Sequence, residues 1–460
     1  MPSTAPNPTR VDGSERSSPV FAPFTLPNGS VIPNRLAKAA MEENMAASGQ
    51  LPDESLFRLY RRWSRGGAGL IITGNVMVHA EALTGPGGVV LDADSPLEPF
   101  RQWAVAAKSG GARVWMQINH PGRQVRADMP GVAWAPSAIR VDVGKNSKRF
   151  ADPVEMSAQQ IEETVARFAE TARGAAAAGF DGVEIHAAHG YLLSQFLSPL
   201  ANRRTDQWGG SLENRARLLL DIVRSVRAAV APAFAVAVKL NSADFQRGGF
   251  DADDAATVIA MLAPLGVDVV ELSGGSYEAP AMTGQASDQR TRSREAYFLS
   301  LAEELATTSP LPLMLTGGVV RLPVAEEILA GGIDLVGMGS ALAVDPDLPN
   351  RWRQDTGARV ELAPVQIEDK AVASAASMAR VRQQLRRLGA DRRTRPGINP
   401  KVALLKETLL QRRALRRYRT WLNSRAARSD PSPGDRLLLT GGRARSRPGS
   451  GPGARLGGGW

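Results

Sequence analysis

The chain has 460 residues, 43% of them hydrophobic, with a formal net charge of +10, which suits one large barrel with extensions or several smaller domains. It contains no cysteine, which excludes disulfides, thiolate metal sites and cysteine-ligated iron–sulfur clusters, so redox chemistry needs a bound organic cofactor. About 21 Lys and Arg against about 4 Asp and Glu lie from Arg380 onward, so the basic character belongs to a tail and the body is net acidic, which argues against a nucleic-acid partner.

The N-terminus, Met1-Pro-Ser-Thr-Ala-Pro-Asn-Pro, is polar and proline-rich and lacks the apolar core of a signal peptide. No uncharged apolar run reaches the roughly 18 residues of a membrane span, and a soluble, cytoplasmic protein is expected. Asn28-Gly29 separates two short apolar stretches within Phe21 to Ile32; both residues tolerate positive φ, so this reads as a β-hairpin able to plug the bottom of a barrel.

Apolar runs of strand length then recur, each followed by a helical stretch: Leu36 to Ala40, Leu70 to Thr73, Arg113 to Ile118, Gly182 to His186, Ala235 to Leu240, Asp268 to Leu272, Pro312 to Thr316 and Asp334 to Met338. Strands alternating with helices in this way predict an α/β fold, a (β/α)8 TIM barrel with an N-terminal β-hairpin and a C-terminal helical extension. Gln159 to Ala178 reads as a helix stopped by Gly179, and Ser211 caps another that runs to Val230.

Past the barrel, Lys401 to Leu422 carries Val402, Leu405, Leu409, Leu415, Tyr418 and Leu422 among arginines, predicting an amphipathic helix packed on the barrel. The expected divisions are a flexible segment over 1–19, a barrel over 20–355, a helical extension over 356–423 and a disordered basic tail over 424–460, where Arg, Gly, Pro and Ser show no apolar periodicity.

The chemistry gathers at strand ends, which in a barrel point into the mouth. The fourth run is followed at once by His189, Gly190 and Tyr191, so His186, His189 and Tyr191 converge there; the chain has only 4 histidines. Two neutral imidazoles can grip one carbonyl or phenolate oxygen while a phenol delivers a proton to carbon. At the end of the third run Trp115, Gln117 and Asn119 share a face, and an amide there can match a pyrimidine edge. Lys239 ends the fifth run, as a cation beside an anionic cofactor or, desolvated, as a Schiff-base nucleophile. Gly317, Gly318, Gly339 and Ser340 follow the last two runs, where this fold commonly binds phosphate.

The stretch from His186-Ala-Ala-His189-Gly-Tyr191 through Asn202-Arg203-Arg204 to Gly209-Gly210-Ser211-Leu-Glu213-Asn214-Arg215 resembles the Old Yellow Enzyme family of FMN-dependent ene-reductases and NADH:flavin oxidoreductases. The resemblance spans about residues 20 to 355. It implies FMN as cofactor, NADH or NADPH as reductant and a small electron-poor alkene as substrate. It implies that His186 and His189 hold the oxygen of an α,β-unsaturated carbonyl, that Tyr191 protonates the α-carbon, and that Ala40, Met41, Gln117, Lys239, Gly317, Gly318, Gly339 and Ser340 contact FMN. Two positions depart from the family. Ser340 stands where many members carry a phosphate-binding arginine, a role Arg321 could take over, and Glu42 stands where many have Thr or Cys near the flavin's N5. A carboxylate there would be unfavourable unless protonated or turned away. The iron–sulfur version of the family is excluded by the lack of cysteine, so a one-domain, FMN-only enzyme is expected.

Two other chemistries compete on the residues alone. One is a metal-dependent barrel hydrolase with His186, His189 and His120 as ligands; the other is a Schiff-base lyase using Lys239.

Overall fold

Eight of the predicted runs form strands that close on themselves. In the computed structural model, which describes residues 18–279, 299–361 and 364–429, these are β1 (Leu36–Lys38), β2 (Leu70–Ile72), β3 (Arg113–Asn119), β4 (Gly182–Ala187), β5 (Ala235–Asn241), β6 (Val269–Ser273), β7 (Leu313–Thr316) and β8 (Leu335–Met338). Each pairs in parallel with the next, and β8 pairs with β1, completing a (β/α)8 barrel.

Alternation sends every second side chain inward. At the bottom those side chains are apolar: Ala37, Leu70, Ile72, Trp115, Ala235, Ala237, Val269, Met314 and Leu335 form one cluster. Gly182 makes room for Trp115, since a Cβ there would stand 2.7 Å from the indole. The hairpin of Phe24–Thr25 and Val31–Ile32 closes this end by adding Leu26 and Ile32 to the cluster. Gly29 takes φ 82° in its turn, as the Asn-Gly pair predicts. The Asp268 carboxylate ties turn to barrel by accepting the N–H groups of Asn28 (3.1 Å) and Val236 (2.8 Å).

The outer helices begin and end where side chains can satisfy their free backbone groups. Ser157 and Gln160 form a capping box for the helix Ala158–Ala177, Gly179 takes φ 88° just past its end, and Ser211 accepts from the Asn214 N–H to start Leu212–Ala229. The loop after β3 carries a small two-stranded sheet, Ala133–Ala135 with Pro153–Glu155, which the sequence patterns do not reveal.

Two long helices, Lys370–Gly389 and Pro400–Ser429, follow the barrel. The second continues past the expected end of order at Ser424, and Arg425 explains why: its guanidinium pairs with Asp92 (2.8 Å) and Asp94 (2.5 Å). Its packed face also differs from the expected stripe. Val402, Leu405 and Leu409 are exposed, whereas Ala403, Glu407, Ala414, Leu415 and Tyr418 are buried. Alanine allows close approach, and Glu407 is buried because two arginines of the preceding helix pair with it. The expected flexible segment before residue 18 and the expected disordered tail from residue 430 onward lie outside the described residues.

Candidate active site

Going up the barrel, the inward positions turn polar. Gln117 on β3 lies level with Glu184 on β4, and its amide donates to the Glu184 carboxyl at 2.5 Å. Lys239 on β5 lies level with His186 on β4 and Glu271 on β6, and its ammonium is 2.6 Å from Glu271. Burial pushes the Glu184 carboxyl well above the usual carboxylate range, and the neighbouring Glu271 adds to this. Burial pushes Glu271 the same way, but the Lys239 charge and hydrogen bonds from Glu184, Lys239 and Thr316 together outweigh it and hold Glu271 below that range. Lys239 is in turn held above the usual lysine value, because Glu271 and Glu184 outweigh the burial that opposes its charge. A protonated, ion-paired ammonium is no nucleophile, which weighs against the Schiff-base reading.

Two residues on from Gln117, Glu184, Lys239 and Glu271 along their strands stand Asn119, His186, Asn241 and Ser273, all buried. His186 Nδ1 accepts the Ala188 N–H at 3.2 Å, so in the neutral ring the proton sits on Nε2. His189 follows with φ 62° and Gly190 with φ 71°. Two successive left-handed residues fold the chain back after β4, at a cost of about 1–2 kcal/mol for the non-glycine one. That conformation is held from both sides: the His189 N–H donates to Asn241 Oδ1 (3.0 Å) and its carbonyl accepts from Gln124 (2.9 Å). The His189 Nε2 is 2.8 Å from the Ser273 hydroxyl; with the hydroxyl as donor, the ring proton sits on Nδ1.

The turn brings the three predicted side chains together. The His186 ring centre is 5.0 Å from that of His189 and 5.0 Å from that of Tyr191. Burial drives His186 well below the usual imidazole value and His189 down to about 3, with the Lys239 charge acting in the same direction on both. Both rings are therefore neutral hydrogen-bond donors at ordinary pH. Tyr191 carries a partner that sequence reasoning missed: its hydroxyl is 3.0 Å from that of Tyr277, on the loop after β6. Burial lifts Tyr191 well above the usual phenol value and Tyr277 up to about 12, so both keep their protons. No periodic pattern marks Tyr277; its place two residues past the Ser273-Gly274-Gly275 run that ends β6 was the available clue.

The third histidine of the metal reading stands apart. His120 stacks on His79, ring centres 6.2 Å apart, and accepts the Gly122 N–H on Nδ1. Among the described residues no group of three or more His, Cys, Asp and Glu could hold a metal.

Several residues of the long motif hold the loops around the mouth. Gln195 binds the Arg123 N–H and the Pro121 and Gly190 carbonyls. Asn202 binds the Phe196 and Trp208 carbonyls, Arg204 those of Pro136 and Met156, and Arg215 that of Leu197.

The predicted cofactor residues border the same mouth. Ala40 and Met41 follow β1, Gly317 (φ 158°) and Gly318 (φ 72°) follow β7, and Gly339 and Ser340 follow β8. A Cβ at Gly339 would meet only Met41, at 3.7 Å. Asn119 is fully buried with neither amide atom partnered by protein, and Asn75 Oδ1 is likewise unpartnered. Such orphaned polar atoms call for a polar ligand, and with the adjacent Gln117, Lys239 and open glycine ends they fit FMN. Glu42 is compensated: its carboxylate pairs with Arg382 at 2.7 Å and accepts from Asn44 (3.1 Å) and the Thr84 hydroxyl.

Fold and site together define a barrel enzyme whose mouth offers two neutral imidazoles and a protonated phenol beside a polar cradle. The sequence of the NADH:flavin oxidoreductase / NADH oxidase family matches residues 19–358, and the chain belongs to that family. Membership brings FMN as the flavin and a nicotinamide nucleotide as reductant. The chain is 39% identical over 352 residues to the NADH-dependent flavin oxidoreductase iliE of Neonectria sp. (strain DH2), covering 71% of this chain and 46% of that protein. It is 37% identical over 349 residues to its namesake in Hypocrea jecorina (strain QM6a), covering 71% and 87%. It thus spans less than half of the first relative and most of the second. Among solved structures, an Old Yellow Enzyme homologue from Zymomonas mobilis superposes with a TM-score of 0.63 at 26% identity, covering 75% of this chain and 94% of that one. A 2-naphthoyl-CoA reductase bound to 2-naphthoyl-CoA superposes with a TM-score of 0.69 at 25% identity, covering 84% and 57%.

Proposed function

We propose that this protein takes hydride from NADH or NADPH and reduces the C=C bond of an α,β-unsaturated carbonyl or similar electron-poor alkene. The observation that carries the reading is the packing of His186, His189 and Tyr191 around one point, with both imidazoles neutral and the phenol protonated.

Bound FMN supplies the hydride carrier. Gln117, Lys239, Ala40 and Met41 would hold its ring and Gly317, Gly318, Gly339 and Ser340 its phosphate. His186 Nε2–H and His189 Nδ1–H donate to the substrate oxygen, so negative charge that builds there meets two fixed donors in a water-poor site. Neutral rings suit this role, because they polarise the oxygen without handing over a proton. Tyr191 gives its proton to the α-carbon, and Tyr277, 3.0 Å away, donates to the phenolate that remains and spreads its charge.

No helix among the described residues is long and apolar enough to cross a membrane, and dependence on a nicotinamide nucleotide suits a cytoplasmic enzyme. The test is a split of half-reactions. Tyr191→Phe should leave reduction by NADH within about threefold while slowing alkene reduction by about 10² or more, the usual worth of a general acid. Equal loss in both half-reactions would remove Tyr191 from the proton-donor role.

A further inference from the structure

The turn that carries Tyr277 is tied down on both sides. On one side the Gly275 N–H donates to the Ala243 carbonyl at 3.1 Å, and Asn241 on β5 donates to the Gly275 carbonyl at 3.1 Å. Within the turn the Ser276 hydroxyl accepts the N–H groups of Glu278 (3.2 Å) and Ala279 (3.3 Å). On the other side both oxygens of the Glu278 carboxylate reach the loop after β3: one is 2.7 Å from the Arg123 guanidinium, and the other accepts the Asp142 N–H at 2.7 Å. Arg123 is itself fixed, because its guanidinium donates to the carbonyls of Ile139 (3.0 Å) and Arg140 (2.9 Å) and its N–H to Gln195 (3.1 Å). The Arg123 and Glu278 side chains are only 7% and 16% exposed, so salt screens the pair little.

Glu278 directly follows Tyr277, so whatever moves its carboxylate moves the neighbouring phenol. The Tyr277 hydroxyl stands 3.0 Å from that of Tyr191, and a hydrogen bond of that length is lost when its partners part by about 1 Å. We propose that Arg123 and Glu278 are positioning residues for the proton-transfer step: their buried ion pair fixes the turn after β6 so that the Tyr277 hydroxyl stays on Tyr191. This rests on the reading of Tyr191 as the proton donor. In that step the Tyr191 O–H bond breaks as the C–H bond at the α-carbon forms, and Tyr277 donates a hydrogen bond to the phenolate left behind. The ion pair acts on the reaction through Tyr277, by keeping that donor in reach.

The test is a double-mutant cycle in the FMN-loaded full chain. Glu278→Ala leads, because it leaves Arg123 with two carbonyl acceptors, whereas removing Arg123 would strand a buried carboxylate. Tyr277→Phe and Glu278→Ala should each slow alkene reduction about tenfold, the worth of one hydrogen bond to a charged group, with reduction by NADH within about twofold of wild type. In the Tyr277→Phe background Glu278→Ala should slow alkene reduction by less than about twofold more, since the hydroxyl it positions is already gone. Glu278→Gln keeps one of the two anchors and should recover about threefold of the loss; it carries the same cycle if the alanine variant does not fold. Hydrogen exchange, which needs no turnover, should speed up in the peptide that holds Tyr277 and not in the loop after β4. Losses that multiply in the double variant, equal loss in both half-reactions, or unchanged exchange around Tyr277 would overturn the proposal. A wild-type enzyme that reduces no electron-poor alkene would instead sink the ene-reductase reading, and the exchange measurement would still decide whether the pair holds the turn.

Discussion

Neutrality of the two imidazoles is the property on which the site depends. It arises from burial inside a barrel that already holds a charged lysine: a second cation beside Lys239 has neither water nor a free carboxylate to stabilise it. A consequence follows for binding. His186→Ala removes one donor to the ligand oxygen and should weaken 4-chlorophenol binding about tenfold, read from the long-wavelength charge-transfer band of the flavoprotein; an unchanged titration would remove His186 from the oxygen-binding role. In the wild type the same affinity should show no break between pH 5 and 8, because His189 takes a proton only near pH 3 and His186 resists still more strongly. A break near pH 6.5, the ordinary imidazole value, would mean that the rings are more exposed than the structure has them. His186, His189 and Tyr191 were legible in the sequence because strand ends of a barrel share one mouth. Glu184 and Glu271 were legible in principle, two residues before His186 and Ser273 on the same strand faces, but a lone acid in a strand carries no signal without its partner. Tyr277 had no pattern to reveal it.

Among the elements, the eight strands and the hairpin follow from local chemistry, namely apolar runs of strand length and an Asn-Gly turn, and the structure forms them with shifts of a residue or two at their ends. The hairpin matters because an open barrel bottom would wet the apolar layer beneath the site. Ile32 is fully buried in that layer. Ile32→Ala should therefore cost about 3 kcal/mol of unfolding free energy, the range for a buried large-to-alanine change, while Val31→Ala, 41% exposed on the adjoining position, should cost well under 1 kcal/mol. Equal urea midpoints for the two variants would show that the hairpin does not plug the barrel. The second C-terminal helix was harder to read. Its most apolar stripe, Val402, Leu405 and Leu409, faces outward, and the buried face includes a glutamate. Periodicity of apolar residues finds the packed face only when apolar contact drives packing. Here ion pairs of Glu407 with Arg382 and Arg386 and the Tyr418 hydroxyl bond to the Ala80 carbonyl (2.8 Å) share that task, and pairings with a separate helix or a distant barrel loop leave no trace in the helix's own periodicity.

For the whole molecule, the buried ionisable groups set how stability changes with acidity. All four histidines are pushed down by burial: His79 to about 4, His120 and His189 to about 3, and His186 well below the usual value. Unfolding returns each to about 6.5. Between about pH 4 and 6.5 the unfolded chain therefore binds protons that the folded chain refuses, and stability falls as the pH falls. Buried carboxylates oppose this, because Glu43 and Glu184 are raised by burial and keep protons in the folded state that the unfolded chain releases above about pH 4.5. Asp244, Asp254, Asp268 and Asp334 are raised by burial in the same way, so the carboxylates reduce a histidine contribution that reaches about 1.4 kcal/mol per pH unit for each ring. Urea unfolding at pH 6.5 and 5.5 should then show a clear drop in midpoint at the lower pH with an unchanged slope. His120→Gln, away from the His186–His189–Tyr191 group, should flatten that drop by up to about 1.4 kcal/mol per unit. If the midpoint held steady and His120→Gln left it unchanged, the histidines would have to take protons in the folded chain, and the proposed grip of a neutral His186–His189 pair on the substrate oxygen would be lost with them.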